Sequence, residues 1–340
     1  MASIASVLVG LFLVVSLILY VLFGGADFGA GVLEIFKGTQ RPADQQALIS
    51  RAISPVWEAN HIWLIIVVVI LFMGFPPVYA LLSVHLHIPL VLMLLGIVLR
   101  GCAFTFRHYD PSANQRLYTG LFIAGSVLSP LCFGVLVGSI TAGHIDPQAH
   151  DAYALYVSPW LHGFGLLVGM FCLAAFVFLA SAYLVGETED PELQTLFVRR
   201  AWISNVVLIL CGALVLISAQ KHGVFTLRSF LLQPASGAAF VLATLLLAPL
   251  WFALKKRRAW IVRFLAATLV SVVIAGWLFT MYPYLIKLPQ GGMTMAAALA
   301  PEPTLRQLAG ALCVGLCLVI PALGFLLRLF KAGRDVSADG

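Results

Sequence analysis

The chain has 340 residues, 61% of them hydrophobic and only 10% charged, with a formal net charge of +6 and a mean hydropathy of +1.02. A soluble surface needs far more charge, so the composition excludes a soluble domain, and a basic excess in so apolar a chain is not a nucleic-acid signal. Long apolar runs without period-two alternation exclude an outer-membrane barrel as well, which leaves a polytopic helical membrane protein.

A bilayer core about 30 Å thick takes roughly 20 helical residues. Stretches of that length predict nine spans, near 3–24, 55–74, 78–100, 117–141, 160–185, 201–219, 236–254, 259–281 and 307–330. The first run starts without a basic region and is longer than the core of a cleavable signal. After it, the segment 27–36 either extends the first helix or forms a short second one. The other loops are short, the longest being 142–159 and 282–306, so 1–340 reads as a single all-α integral-membrane domain. Arg51-Ala-Ile-Ser54 recurs as Arg200-Ala-Trp-Ile-Ser204, each after a membrane helix and a cytoplasmic loop. Two four-helix bundles plus a ninth helix would fit that recurrence, although chance produces a match of this length too.

Orientation follows from the basic residues. Sixteen of the 20 Lys and Arg fall in the odd-numbered loops and the tail; the even-numbered loops hold only Lys221, Arg228, Lys287 and Arg306. The positive-inside rule then predicts the N-terminus outside and the C-terminus in the cytoplasm.

Three acidic residues lie at or within predicted helices. Glu34 sits near a cytoplasmic end, from which it can reach headgroups. Asp27 lies in Gly24-Gly-Ala-Asp-Phe-Gly-Ala-Gly31, where small residues let a neighbouring backbone approach and shield the carboxylate from lipid. Glu58 follows Pro55 by three positions, as in the first turn of a helix, where the helix dipole favours its charge. His61, at i+3, shares its face. Two readings stay open: Glu58 and Asp27 pair with arginines such as Arg51 and Arg100 and lock helices together, or they line a hydrated proton path in which desolvation raises a carboxyl towards the working range.

His85 and His87 are two positions apart on one predicted helix and point to opposite sides. His61 and His162 are single, His108 is in an inner loop, and His144, His150 and His222 are in outer loops. Glu58 and His61 have the ExxH spacing of di-metal bundles, but those need a second copy and further glutamates. The sequence thus predicts no metal or haem ligation by this chain alone. The six cysteines form no CxxC pair, and Cys313 and Cys317, one turn apart, read as small buried hydrophobes.

Three motifs in register resemble one family. Tyr20-Val-Leu-Phe-Gly-Gly-Ala-Asp-Phe-Gly-Ala-Gly31 resembles the D-G-F-D-x-G-x-G motif in the first helix of subunit II of cytochrome bd-type quinol oxidases. Pro55-Val-Trp-Glu-Ala-Asn-His-Ile-Trp-Leu64 resembles P-x-W-D-G-N-x-x-W-L, and the stretch from Pro89 to Arg107 is similar to P-L-x-L-M-L-L-G-L-x-x-R-G-V-A-F-E-F-R of the cyanide-insensitive branch. Met281-Tyr-Pro-Tyr-Leu285 and the loop up to Gln307 resemble the segment before the last helix. The departures are Gly24 for the first aspartate, Glu58 for the W-D-G-N aspartate, Ala59 for its glycine, His61 for Glu or Gln, and Thr105 for an acid.

The resemblance implies a heterodimer with a subunit I that carries haems b and d and the quinol site, with a small accessory single-helix subunit as a further candidate partner. It implies a bacterial inner-membrane location, a chain that binds no cofactor and is not catalytic alone, and quinol as the substrate of the complex. Carried over residue by residue, the proton-path candidates are Glu58, Asp27 and His61, and the motif neighbours are Trp57, Asn60 and Arg100. A stand-alone transporter or channel, and a purely structural partner without a proton path, are the competing readings.

Overall fold

The computed structural model describes residues 3–37, 41–53, 57–109 and 115–336; the side chains of 57–59, 108 and 326–336 lie outside the described set. Fourteen α-helices and one hairpin follow in order: α1 (Ile4–Leu33), a 3-10 turn (Glu34–Phe36), α2 (Pro42–Ile53), α3 (Trp57–Gly74), α4 (Pro76–His85), α5 (His87–Tyr109), α6 (Gln115–Ala142), α7 (Ala152–Tyr156), α8 (Gly163–Leu184), α9 (Pro191–Lys221), α10 (Leu227–Leu232), α11 (Pro234–Lys255), α12 (Ala259–Met281), β1 (Tyr284–Leu288), β2 (Gly291–Thr294), α13 (Met295–Ala298) and α14 (Glu302–Val336). Among the described residues, eight helices are long and apolar enough to cross a membrane, and a bent pair supplies a ninth span. The chain is a polytopic all-α membrane protein, as its composition predicts.

The first predicted span is extended, as one of the two readings of 27–36 has it, and the third is corrected. The span placed at 3–24 continues to Leu33 as one helix. It continues because its glycines meet neighbours: a β-carbon on Gly29 would lie 2.0 Å from the carbonyl oxygen of Phe176 in α8. The backbones touch there, and the helix is packed rather than ended. The span placed at 78–100 runs instead from His87 to Tyr109. Residues 76–85 form the separate helix α4, bent 114° from α3, with Pro76 and Pro77 in its first turn, where proline starts a helix without losing a bond. His85 and His87 therefore flank the break at Leu86 and do not share one helix.

The packing repeats. In the first half α1 lies on α3, α5 on α6, and α1 on α6; in the second α8 lies on α9, α11 on α12, and α8 on α12. The halves join through α1 and α6 against α8, and α14 lies along α1 and α3. One apolar cluster runs through both halves, including Phe28, Phe75, Phe176, Phe178 and Leu254. Between α12 and α13 β1 and β2 pair antiparallel, and the Ala300 N–H donates to the Gly74 carbonyl at 2.9 Å. Cys313 and Cys317 are exposed on α14, not buried as the sequence predicts, because that helix packs by one side only.

Candidate functional site

The buried charges of the described residues gather at one place. Asp27 is fully buried, Arg100 is 1% exposed and Glu34 is 3% exposed. α1 carries Asp27 and, two turns on, the chain presents Glu34; α5 carries Arg100 and Arg107 at the same seven-residue separation, about two helical turns. The result is a ladder with two rungs. In the inner rung Arg100 donates through Nη2 to Asp27 Oδ1. In the outer rung Arg107 Nη1 donates to both Glu34 oxygens at 2.9 Å, and its Nη2 reaches Ser50 Oγ at 2.9 Å. Phe122 of α6 stands between the rungs, its ring centroid 5.2 Å from the Arg100 guanidinium and 4.6 Å from that of Arg107. Phe28 takes the other side of Arg100 at 5.2 Å. Flat aromatic faces thus replace part of the hydration the cations give up.

Glu34 does not reach headgroups, as its position in the sequence suggests. Its side chain is buried and holds Lys37 Nζ at 3.3 Å as well as Arg107. The two acids differ in what remains open. Both Glu34 oxygens are engaged, whereas Asp27 Oδ2 is buried without a hydrogen-bond partner, as are Nε and Nη1 of Arg100 and both amide atoms of Asn60. Asn60 of α3 lies against Gly24 of α1, one turn before Asp27. The structure therefore brings together Asp27, Arg100 and Asn60, with His61 the next residue along α3. The Trp57 and Glu58 side chains lie outside the described set; the backbone of both is in the first turn of α3.

Gly24 packs directly under Asn60. A β-carbon there would lie 3.0 Å from the Asn60 amide nitrogen and 3.1 Å from its oxygen. Asn60 occupies the space a side chain at 24 would take. The sequence reading missed Arg107 and Phe122. A signal was available, namely equal spacing of acids at 27 and 34 and arginines at 100 and 107, but adjacency of the two helices is needed to read it.

The gap beside the site between Asp27 and Ala30 of α1, Ala52 of α2 and Tyr183 of α8 leaves no room for a water-sized molecule, so it holds neither a haem nor a quinone. Among the described residues no three His, Cys, Asp or Glu side chains converge as metal ligands. His85 Nδ1 is 3.1 Å from the Leu155 carbonyl and His87 Nδ1 is 2.8 Å from that of Val84. The residues present do not fit a haem at this site.

The family model for cytochrome bd terminal oxidase subunit II matches residues 5–330. The chain belongs to that family. It is 27% identical to the cytochrome bd ubiquinol oxidase subunit 2 of Bacillus subtilis over 69% of this chain and 68% of that one. It is 29% identical to the cytochrome bd-I ubiquinol oxidase subunit 2 of Escherichia coli K12 over 59% of this chain and about half, 53%, of the relative's length. The fold is that of a chain in the bd oxidase of Geobacillus thermodenitrificans, with a TM-score of 0.77, 19% identity, and 96% and 99% of the two chains covered. The protein is thus a bd oxidase subunit and a multi-pass protein of the bacterial inner membrane.

Proposed function

We propose that this chain braces a haem-bearing subunit I in a quinol:oxygen oxidoreductase complex and gives protons access to the partner's haems through Glu58, His61 and Asp27. Haems b and d belong to the partner in this reading, quinol is the substrate of the complex, and the chain is not catalytic alone. The observation that carries the proton role is the asymmetry of Asp27: one oxygen fixed by Arg100, the other unengaged, next to Asn60 of the helix that Glu58 opens. A buried carboxylate with a free oxygen beside a second titratable group can take up and release a proton; a bidentate carboxylate such as Glu34 is poorly suited to it. When bound in the partner, the haems reduce oxygen. This chain's residues hold and pass the protons that the reduction consumes.

The test is made in the purified complex. Glu58→Gln keeps size and hydrogen bonding but cannot carry a proton, so quinol-driven oxygen uptake is expected to fall by about tenfold or more with haem content unchanged. Glu58→Asp retains the acid and is expected to stay active. Full turnover in Glu58→Gln overturns the proton role. Loss of haem together with activity favours a purely structural subunit, a reading that the fully engaged Glu34–Arg107 rung supports on its own account. A purified assembly without haem absorbance would point to the stand-alone transporter.

A further inference from the structure

The turn between α11 and α12 carries four basic residues in succession, Lys255, Lys256, Arg257 and Arg258, all exposed. They differ from other basic groups of the chain. Lys37, Arg41, Arg100, Arg107, Arg263 and Arg306 each hold a carboxylate. The four of the turn hold none among the described residues.

The backbone of the turn does not need them. The N–H of Lys256 donates to Phe252 at 3.0 Å, that of Arg257 to Leu254 at 3.1 Å and that of Arg258 to Ala253 at 3.1 Å. This closes the end of α11 with a six-to-one bond, leaving the side chains without a capping role. Arg257 sits at φ +54, the left-handed position that glycine ordinarily takes at a helix end. The positive φ serves that cap, and among the described residues no carboxylate meets the Arg257 side chain.

The surroundings name the ligand's chemistry. Below the turn, Phe252 of α11 and Trp260 and Phe264 of α12 are 60%, 74% and 71% exposed. Trp260 and Phe264 are one turn apart on one face, and Lys256 Nζ lies 5.8 Å from the Phe252 ring centroid. Aromatic rings beneath a row of cations are the arrangement of a membrane interface, with acyl chains against the rings and phosphate at the charges. We propose that the α11–α12 turn is a binding site for the headgroup of an anionic phospholipid, with Lys255, Lys256, Arg257 and Arg258 as its ligands and Trp260 marking its depth.

The full chain, purified with its partner subunit, is reconstituted in phosphatidylcholine vesicles containing either brominated phosphatidylglycerol or brominated phosphatidylcholine. The Trp260 emission, taken as the difference between the protein and its Trp260→Phe variant, reports the lipid beside the turn. Quenching by the anionic lipid is expected to set in at an about tenfold lower mole fraction than by the zwitterionic one, since each basic group near the surface is worth about fivefold and screening takes part of that. In Lys255→Gln/Lys256→Gln the preference is expected to fall about tenfold, whereas Arg116→Gln/Arg199→Gln leaves it unchanged. Equal quenching by both lipids, or a preference that survives Lys255→Gln/Lys256→Gln, overturns the proposal and leaves the turn a topology signal only. Loss of the preference on adding inorganic phosphate overturns the lipid as occupant in favour of a soluble anion.

Discussion

At the scale of single residues, the inner rung is the most consequential pair. Taking one partner from a buried ion pair strands the other charge in a low dielectric, at a cost of about 3–5 kcal/mol, whereas replacing both by apolar residues of like volume is often neutral. Asp27→Asn is therefore expected to lower the thermal midpoint of the complex sharply, and Asp27→Leu/Arg100→Met to restore much of it. If the single and double variants melt alike, the pair is not what holds α1 to α5. Gly24→Asp, which would supply the family's missing carboxylate, brings its β-carbon 3.0 Å from the Asn60 amide nitrogen, so Asn60 must shift and the melting temperature is expected to fall slightly. Adding Asn60→Ser should relieve that collision, and a thermal melt of the single and double variants decides it. The sequence named Asp27 and its shielding, because a small-residue motif states close packing directly, but left pairing with arginines such as Arg51 and Arg100 as one of two readings; the structure pairs Asp27 with Arg100. It misjudged Glu34, because nearness to a helix end in the chain says nothing of whether Arg107 and Lys37 have closed over it.

At the scale of elements, the α1–α8 contact at Gly29 sets how closely the two halves approach. Gly29→Ala would push a β-carbon into a backbone carbonyl, which has no rotamer by which to move away. Overpacking of this kind costs about 1–3 kcal/mol, so the melting temperature is expected to fall, whereas Gly310→Ala, where a β-carbon meets nothing within 4 Å, should leave it unchanged. The start of α8 adds a pH dependence. His162 Nδ1 accepts the Gly165 N–H at 3.1 Å and caps the helix. Burial, and then the neighbouring His144 with its ring 4.7 Å away, push the His162 pKa down to about 4. The unfolded chain takes up the proton near pH 6.5 and the folded one only near 4, so its contribution to stability is full above 6.5 and is lost as pH falls from 6.5 to 4. His162→Asn keeps a capping oxygen without a titration, and is expected to flatten the fall in melting temperature across that window. An unchanged pH profile would assign the dependence to another group. Hydropathy located the other spans, although the one placed at 201–219 belongs to a longer helix that starts at Pro191. It could not place α4, because an apolar helix lying across the bundle end has the same composition as one that crosses the membrane, and only the break at Phe75 and Leu86 separates them.

For the whole molecule, the repeated packing and the site are unequal. Both halves use the same helix pairings, yet the buried acids of the described residues, Asp27 and Glu34, lie in the first half. In the second, Asn205 of α9 is buried and accepts from Trp251 Nε1 at 2.9 Å, a neutral bond that holds α9 to α11 without a proton to exchange. The short recurrence at Arg51 and Arg200 falls at the end of α2 in one half and within α9 in the other, so it does not mark this repeat. Eight apolar helices of the described residues, with the bent α3–α4 pair taken as one further span, make nine. An odd count sends the two ends to opposite sides, and the basic residues, concentrated at the α11–α12 turn, decide which side is which. The loop after α6, four spans along, should then face outward, and the end of α14, nine spans along, inward. A reporter active only in the outer compartment is expected to work when inserted at Gln148 and to stay silent when fused after Gly340. Reversed activities would overturn the orientation, or place a tenth crossing at residues 76–85, which would bring the C-terminus outside and leave the Lys255–Arg258 turn on the wrong side for its charge. Activity at both sites would overturn the odd number of crossings, α8, α9, α11, α12 and α14, between Gln148 and Gly340.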